Sequence, residues 1–153
     1  MPIFGGIRSD VLQFLVDQAA TVCVAAGAYF FRENDHAQSV FVLETGRVEV
    51  LKLWNGQEYL LASLGPGDCF GEMALMDLFP RSASVRAVED CGALELAASS
   101  FYELYKKDVE QFALIQMNLG REVSRRLRQA DERLFQLRMV AASSAPGDGT
   151  PLT

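Results

Sequence analysis

Hydrophobic positions along the chain change their period twice. In "SDVLQFLVDQA", starting at Ser9, the residues Val11, Leu12, Leu15 and Val16 fall on one helical face, and Ser9 stands where an N-cap belongs. A short amphipathic helix therefore opens the fold. From about Thr21 to Leu96 the chain is rich in Val, Phe, Tyr and Leu and is punctuated by Gly27, Gly46, Asn55-Gly56 and Gly65-Pro66-Gly67, which predicts short strands joined by tight turns. Within "FVLETGRVEVLKLWNGQEYLLASL" the stronger of two turn signals is Asn55-Gly56, because a two-residue hairpin loop favours residues that tolerate positive φ. Val50, Leu51 and Leu53 break the alternation and crowd both faces, as expected of strands covered on both sides. The middle of the chain reads as a closed or rolled sheet.

After Leu96 the period lengthens again. Ser100 followed by Glu103, and Asp108 followed by Gln111, have the form of capping boxes, so two helices are expected to start close together. In the second, spanning about 108–139, Val109, Phe112, Leu119, Val123, Leu127, Ala130, Leu134 and Leu137 recur at three-, four- and seven-residue spacings. That narrow seam is longer than a small domain covers, which predicts a two-helix dimer contact through residues 109–137; packing on the chain's own sheet is the plainer alternative. The closing "AASSAPGDGTPLT" is small, polar and rich in breakers, so 141–153 is expected to be a disordered tail and 1–140 a single domain.

Composition narrows the function classes. A chain of 153 residues suits one domain able to bury a core, and its net charge of -6 argues against general attraction to a polyanion, which needs an excess of Lys and Arg. No leader is expected, since the first twenty residues carry Arg8, Asp10 and Asp17. The longest apolar run, Val22 to Phe31, falls short of the roughly 18 residues of a membrane span. Cys23, Cys69 and Cys91 are odd in number and far apart, which fits reduced thiols; a cytoplasmic protein is expected. His36 is the single histidine and reads as a solvated loop residue, so the chain lacks the histidine pair that metal chemistry on a rolled β-fold needs. With no nucleophile–base pair either, no enzyme, metal or cofactor is expected. Cys69 reads as a small buried hydrophobe and Trp54 as strand-end packing. Arg121, Arg125, Arg126, Arg128, Arg133 and Arg138, set against Glu122, Asp131 and Glu132, read as a solvated helix face with local pairs, the alternative being a basic docking strip.

One stretch resists a purely structural account. In "FGEMALMDLFPRSASV", residues 70–85, Glu72 and Arg81 sit among apolar neighbours, and buried charges carry a large desolvation cost unless something partners them. Either they form an ion pair with each other, or a ligand completes the site. "EMALMDLF" has room for only a short helix before Pro80, whose first N–H groups, at Met73 and Ala74, would face an anion. Arg81 offers the planar two-pronged geometry that phosphate prefers, Glu72 suits a hydroxyl pair such as a ribose, and Ser82 adds a hydroxyl for the phosphate or a base. One anion, one sugar and one base account for every polar group here.

"FGEMAL" followed by "PRSASV" and preceded by "LGPGDC" resembles the phosphate-binding cassette of the cyclic-nucleotide-binding domains shared by bacterial catabolite-activator proteins, regulatory subunits of cAMP-dependent kinase and cyclic-nucleotide-gated channels. The resemblance covers roughly residues 21–138, including the hairpin "SVFVLETGRVEV" and the paired helices after the sheet. It implies an α+β, mainly β, fold: an eight-stranded antiparallel β-roll (a double-stranded β-helix, jelly-roll-like) with an N-terminal helix and two C-terminal helices, the last one long. It also implies Glu72 on the ribose 2′-hydroxyl, Arg81 on the cyclic phosphate, and Gly71, Met73, Ala74, Ser82 and Ala83 shaping the cradle. In this family the long helix often closes over the pocket and touches the purine, sometimes from the dimer partner, and by spacing the stretch from Arg126 to Asp131 would lie there. Ala130 and Asp131 are the candidates. Here the chain departs from the catabolite activators, since no Ser/Thr pair follows Leu127. Asp131 can accept from the adenine amine or from guanine N1–H and its amine, and Ser82 suits either base, so neither selects a nucleotide. A solvent-facing Asp131 is the plain alternative.

The expected function is a stand-alone cyclic-nucleotide receptor, for cAMP first and cGMP second, that dimerises through its long helix and signals to a separate effector protein. Where a catabolite-activator-type regulator continues into a helix-turn-helix, only the breaker-rich tail follows here, so no DNA contact through this chain is expected, nor a membrane contact. Two alternatives stand beside it: a dimeric interaction module with a non-binding pocket, and a regulatory fragment of a larger DNA-binding regulator.

Overall fold

The two changes of period, near residues 20 and 97, are where helix gives way to sheet and sheet to helix in the computed structural model, which describes residues 2–77 and 79–144. Helix α1 (Ser9–Gln18) is followed by eight strands: β1 (Ala20–Val24), β2 (Tyr29–Phe31), β3 (Ser39–Thr45), β4 (Val48–Trp54), β5 (Gln57–Leu64), β6 (Cys69–Phe70), β7 (Ser84–Ala87) and β8 (Cys91–Ala97). Helices α2 (Ala98–Lys107) and α3 (Val109–Ser144) close the chain. The strands form two four-stranded antiparallel sheets, ordered β1-β8-β3-β6 and β2-β7-β4-β5, so the chain crosses repeatedly between layers. This is the expected eight-stranded β-roll with one helix before it and two after.

Strand β3 shows why the roll needs helices on one side. Phe41 and Leu43 point between the sheets, where they pack with Val48, Phe70, Val85, Ala87, Cys91 and Ala93. Phe41 and Phe70 stack at 5.2 Å, and Phe30 meets both edge-on at 5.4 and 5.0 Å. The alternate residues Val40 and Val42 face the other way, into a second core with Leu96 of β8 and with Val11, Leu15, Phe101, Leu104, Ile115 and Leu119 from the surrounding helices. Period-2 alternation thus feeds two cores at once. Strand β4 departs from expectation. It pairs with β7 in unbroken register, whereas its register with β5 shifts between Val50 and Leu51 and leaves Leu61 of β5 as the extra residue; Val48 and Leu51 are buried, Leu53 is exposed, and β5 is open along most of its length. The double coverage expected here is not found at Leu53 or along β5. Asn55 (φ 51°) and Gly56 (φ 77°) make the β4–β5 turn as expected, and Trp54 beside it remains exposed.

Two predicted caps fail for an identifiable reason. Ser9 is the first helical residue rather than the N-cap, which is Arg8, whose N–H donates to Gln111 Oε1 at 2.9 Å. Helix α2 starts at Ala98, directly off β8, and its first N–H donates to the Gln38 carbonyl at 2.8 Å, so Ser100 lies buried inside the helix and caps nothing. At α2 a distant backbone carbonyl serves the helix start where a side chain was expected. Asp108 does cap α3, accepting from Gln111 N at 3.2 Å. The helix runs on to Ser144, past the expected end near 139, so residues 141–144 are helical rather than tail; the rest of the expected tail, 145–153, lies outside the described residues. Its first half is anchored: Ile115 and Leu119 are buried and Asn118 donates to the carbonyls of Ile3 and Gly5 at 3.3 and 2.8 Å. Its second half is not, since Leu127, Leu134 and Leu137 are 60%, 54% and 67% exposed. Among the described residues, no helix is long and apolar enough to cross a membrane.

Gly46 tests the β3–β4 corner. Its φ is +91°, and a Cβ there would lie 2.5 Å from the Asp90 carbonyl oxygen and 2.9 Å from Cys91 Cα. Gly46→Ala is expected to cost about 2 kcal/mol or more in urea denaturation, because backbone strain and a backbone clash act together.

Candidate functional site

Strand β6 ends at Phe70, and the next residue, Gly71, turns the chain with φ 79° into a 3-10 turn at Glu72–Leu75. A Cβ on Gly71 would sit 2.5 Å from Arg81 Nη1, so this position needs glycine for space as well as for its dihedral. Of the two helix-start donors anticipated, at Met73 and Ala74, the Ala74 N–H is given to the Gly71 carbonyl at 3.2 Å. The buried cation beside this turn is Arg81.

Arg81 is 6% exposed, and no carboxylate pairs with it among the described residues. Its Nη1 donates to the Gly71 carbonyl at 3.1 Å, and its Nη2 to the Ser39 carbonyl at 2.9 Å and the Ser39 hydroxyl at 3.4 Å. The guanidinium lies over the Phe31 ring, 4.1 Å from its centroid. The backbone is pinned too: Arg81 N–H donates to the Asp35 carbonyl at 2.9 Å and Asn34 N–H to the Arg81 carbonyl at 2.8 Å. Burial pulls the Arg81 pKa below its ordinary value, yet a guanidinium stays charged at neutral pH. Neutral groups thus orient a charge that they do not neutralise.

Glu72 does not pair with Arg81. Only 3% exposed, it takes Arg126 Nη1 of α3 on Oε1, and Arg126 also donates to Glu122 Oε1 at 3.2 Å and to the Cys69 carbonyl at 3.3 Å. Glu122 in turn accepts from Arg125, so a small charged cluster locks α3 against the 3-10 turn. Burial lowers the Arg126 pKa as it does for Arg81. The charge pattern reads Arg126 and Glu122 as part of a solvated face, whereas the family resemblance puts the stretch from Arg126 at the pocket, where Arg126 is found. Phase accounts for both: each sits seven residues after a buried position of α3, Glu122 after Ile115 and Arg126 after Leu119. Among the described residues, the buried side-chain polar atoms without a hydrogen-bond partner are Glu72 Oε2 and Arg81 Nε.

Both residues line one cavity of about 830 Å³, which also gathers Gly71, Met73, Ala74, Ser82 and Ala83. Its opposite wall is apolar, from Val50, Leu61, Leu64 and Val85, and α3 borders it with Arg126, Gln129, Ala130 and Arg133. Asp131 is exposed and is not among the lining residues; Ala130, one position earlier, is. The cavity thus combines an uncompensated guanidinium, a carboxylate with a free oxygen and an apolar wall. Such a set takes an anion, a hydroxyl donor and a flat apolar body together. Cys69 also lines it, and burial pushes its thiol pKa up to about 11, which leaves it protonated and unreactive at neutral pH. His36 is exposed, and no cluster of metal-ligating side chains occurs among the described residues.

The Glu72–Arg126 pair predicts an asymmetric stability response. Arg126→Ala is expected to cost about 2 kcal/mol in urea denaturation, since it strands a buried carboxylate, whereas adding Glu72→Gln recovers part of that loss. A double variant no more stable than Arg126→Ala would mean the pair is not what holds the helix.

Comparison with known proteins gives the same picture from another direction. A family model described as the cyclic nucleotide-binding domain matches residues 21–108. The chain is 35% identical over 131 residues to the cyclic AMP receptor protein of Thermus thermophilus, covering 85% of this chain but only 59% of that protein's length. The crystal structure of the Thermus thermophilus catabolite activator protein superposes with a TM-score of 0.79 at 33% identity, covering 90% of this chain and 63% of that one. The regulatory domain of Toxoplasma gondii PKA, crystallised with cAMP, has a TM-score of 0.63 at 29% identity, covering 66% of this chain and 39% of that one. With the fold, the cassette between β6 and β7 and these matches in agreement, the chain belongs to the cyclic nucleotide-binding domain family.

Proposed function

We propose that this chain is a receptor for a cyclic nucleotide, cAMP first and cGMP second, and that it signals to a partner protein through its long helix. The observation that carries the reading is the state of the two buried charges: Arg81 is held only by neutral groups, and Glu72 keeps one oxygen without a partner, both facing the same cavity. A cyclic phosphate supplies the negative charge that Arg81 lacks, and a ribose hydroxyl donates to Glu72 Oε2. The purine then lies between the wall of Val50, Leu61 and Leu64 and the α3 residues Gln129 and Ala130. Asp131 would act on the base only after α3 turns relative to the cavity. Preference for cAMP is supported by the relatives, a cyclic AMP receptor protein and a kinase regulatory domain crystallised with cAMP.

The output is read from α3. Arg126 ties the helix to the cavity, so a ligand that favours one helix position over another shifts the population between them. The exposed seam of Leu127, Leu134 and Leu137 suits a second copy of the same helix, which supports a homodimer. Leu134→Glu is expected to shift the chain to monomer in sedimentation at micromolar concentration while leaving its fold unchanged; an unaltered oligomeric state would remove the seam from the interface.

Calorimetric titration with cAMP and with cGMP, beside an Arg81→Ala variant checked for folding by circular dichroism, tests the receptor. Saturable binding of one nucleotide, weakened about a hundredfold or more in the variant, is the expected result, because a fully desolvated charge pair is lost. Heatless titrations of folded, ligand-free protein with both nucleotides would favour the interaction module. That second reading has one observation behind it, namely that Arg126 already holds one oxygen of Glu72.

A further inference from the structure

The segment that carries Arg81, Ser82 and Ala83 is clasped from outside the cavity by a lysine. Lys52, on β4, donates from Nζ to the Ser82 carbonyl at 2.7 Å and lies 3.3 Å from Glu33 Oε1. Glu33 is itself fixed, its backbone N–H donating to Ser84 Oγ at 2.8 Å and its Oε1 accepting from Leu53 N at 3.4 Å. Ser82 and Ala83 line the cavity, whereas Lys52 and Glu33 do not. The geometry of the peptide gives this contact a consequence. The Ser82–Ala83 peptide is trans, and in a planar trans peptide the C=O and N–H point in opposite directions. A lysine that draws the Ser82 carbonyl toward the hairpin turns the Ala83 N–H away from it.

We propose that Lys52, held by Glu33, is a positioning residue for the anion cradle: it fixes the Ser82–Ala83 peptide so that the Ala83 N–H faces the phosphate beside Arg81. The role rests on the cyclic-nucleotide reading of the cavity and deepens it. A carbonyl that donates electron density to an ammonium also polarises its own peptide, so the same contact strengthens the N–H as a donor. A stability role does not account for the lysine, since its side chain is 51% exposed and ion pairs open to solvent add little to folding. Arg81 sets the charge at the cradle's floor; Lys52 sets the direction of the backbone at its rim.

Two readouts on the full chain test this: titration with whichever of cAMP and cGMP the wild type binds, and the Ala83 amide resonance of the ligand-free protein. Lys52→Met is expected to weaken nucleotide binding about 5- to 20-fold with an unchanged melting curve, the effect of losing one charge-assisted hydrogen bond. Lys52→Arg is expected to recover most of that affinity, and the Ala83 cross-peak is expected to move in Lys52→Met more than those of residues beyond the clasp. Wild-type affinity in Lys52→Met overturns the proposal. So does an affinity loss with the Ala83 peak unmoved, which would mark a long-range charge effect. If the wild type binds neither nucleotide, the receptor reading fails by itself and the resonance decides the clasp: a displaced Ala83 peak supports it and an unmoved one overturns it.

Discussion

The Glu72 carboxylate is the constraint around which the rest of the molecule is arranged. It is almost completely buried, so it remains ionised only if a cation comes to it, and the cation that comes is Arg126, 54 residues later on α3. That requirement fixes the helix on the roll at a definite height. Ile115 and Leu119 pack beneath, Glu122 braces the arginine, and Asn118 ties the same stretch to the carbonyls near the N-terminus. Beyond Arg126 the helix has nothing comparable to hold it, and its apolar residues are open. The boundary between anchored and free helix therefore coincides with the cavity.

Arg81 solves the opposite problem. Its burial is compensated by carbonyls of Gly71 and Ser39 and by the face of Phe31, none of which carries a negative charge. Such partners satisfy hydrogen-bond geometry and leave the field of the guanidinium intact. An ion pair with Glu72 would have cancelled that field and closed the site. Keeping the two charges apart, each with a different kind of partner, leaves the cavity able to receive a group bearing both an anion and a hydroxyl.

Much of this was legible in the sequence because it is local. The helix–sheet–helix order follows from changes in hydrophobic period, the β4–β5 hairpin from Asn55-Gly56, and the cassette from two charges in an apolar run with a glycine before the first. What escaped is what depends on distant backbone. Ser100 looked like a cap because nothing local says that the Gln38 carbonyl serves α2 instead. Lys52 donates to the Ser82 carbonyl 30 residues away and Arg81 to the Ser39 carbonyl 42 residues away, acceptors that any residue at those positions would offer. Arg126 is the instructive case, since its charge suggested solvent while its spacing from Leu119 placed it on the buried face. Phase along a helix outweighs charge when a buried partner exists to receive it.

The two oxygens of Glu72 bear on the sign of any coupling between ligand and helix. Were both occupied by Arg126, a ribose hydroxyl would have to displace the arginine, and binding would loosen α3. Only Oε1 takes the arginine, whereas Oε2 is without a partner. A hydroxyl donating to Oε2 leaves the Arg126 contact standing, and the carboxylate then satisfies ligand and helix at once. A ligand bound in this way is compatible with the docked helix, because it does not require Arg126 to leave Glu72. Under the proposed reading, a bias on α3 comes from what the nucleotide touches on the helix itself, where Gln129 and Ala130 line the cavity, and not from Glu72.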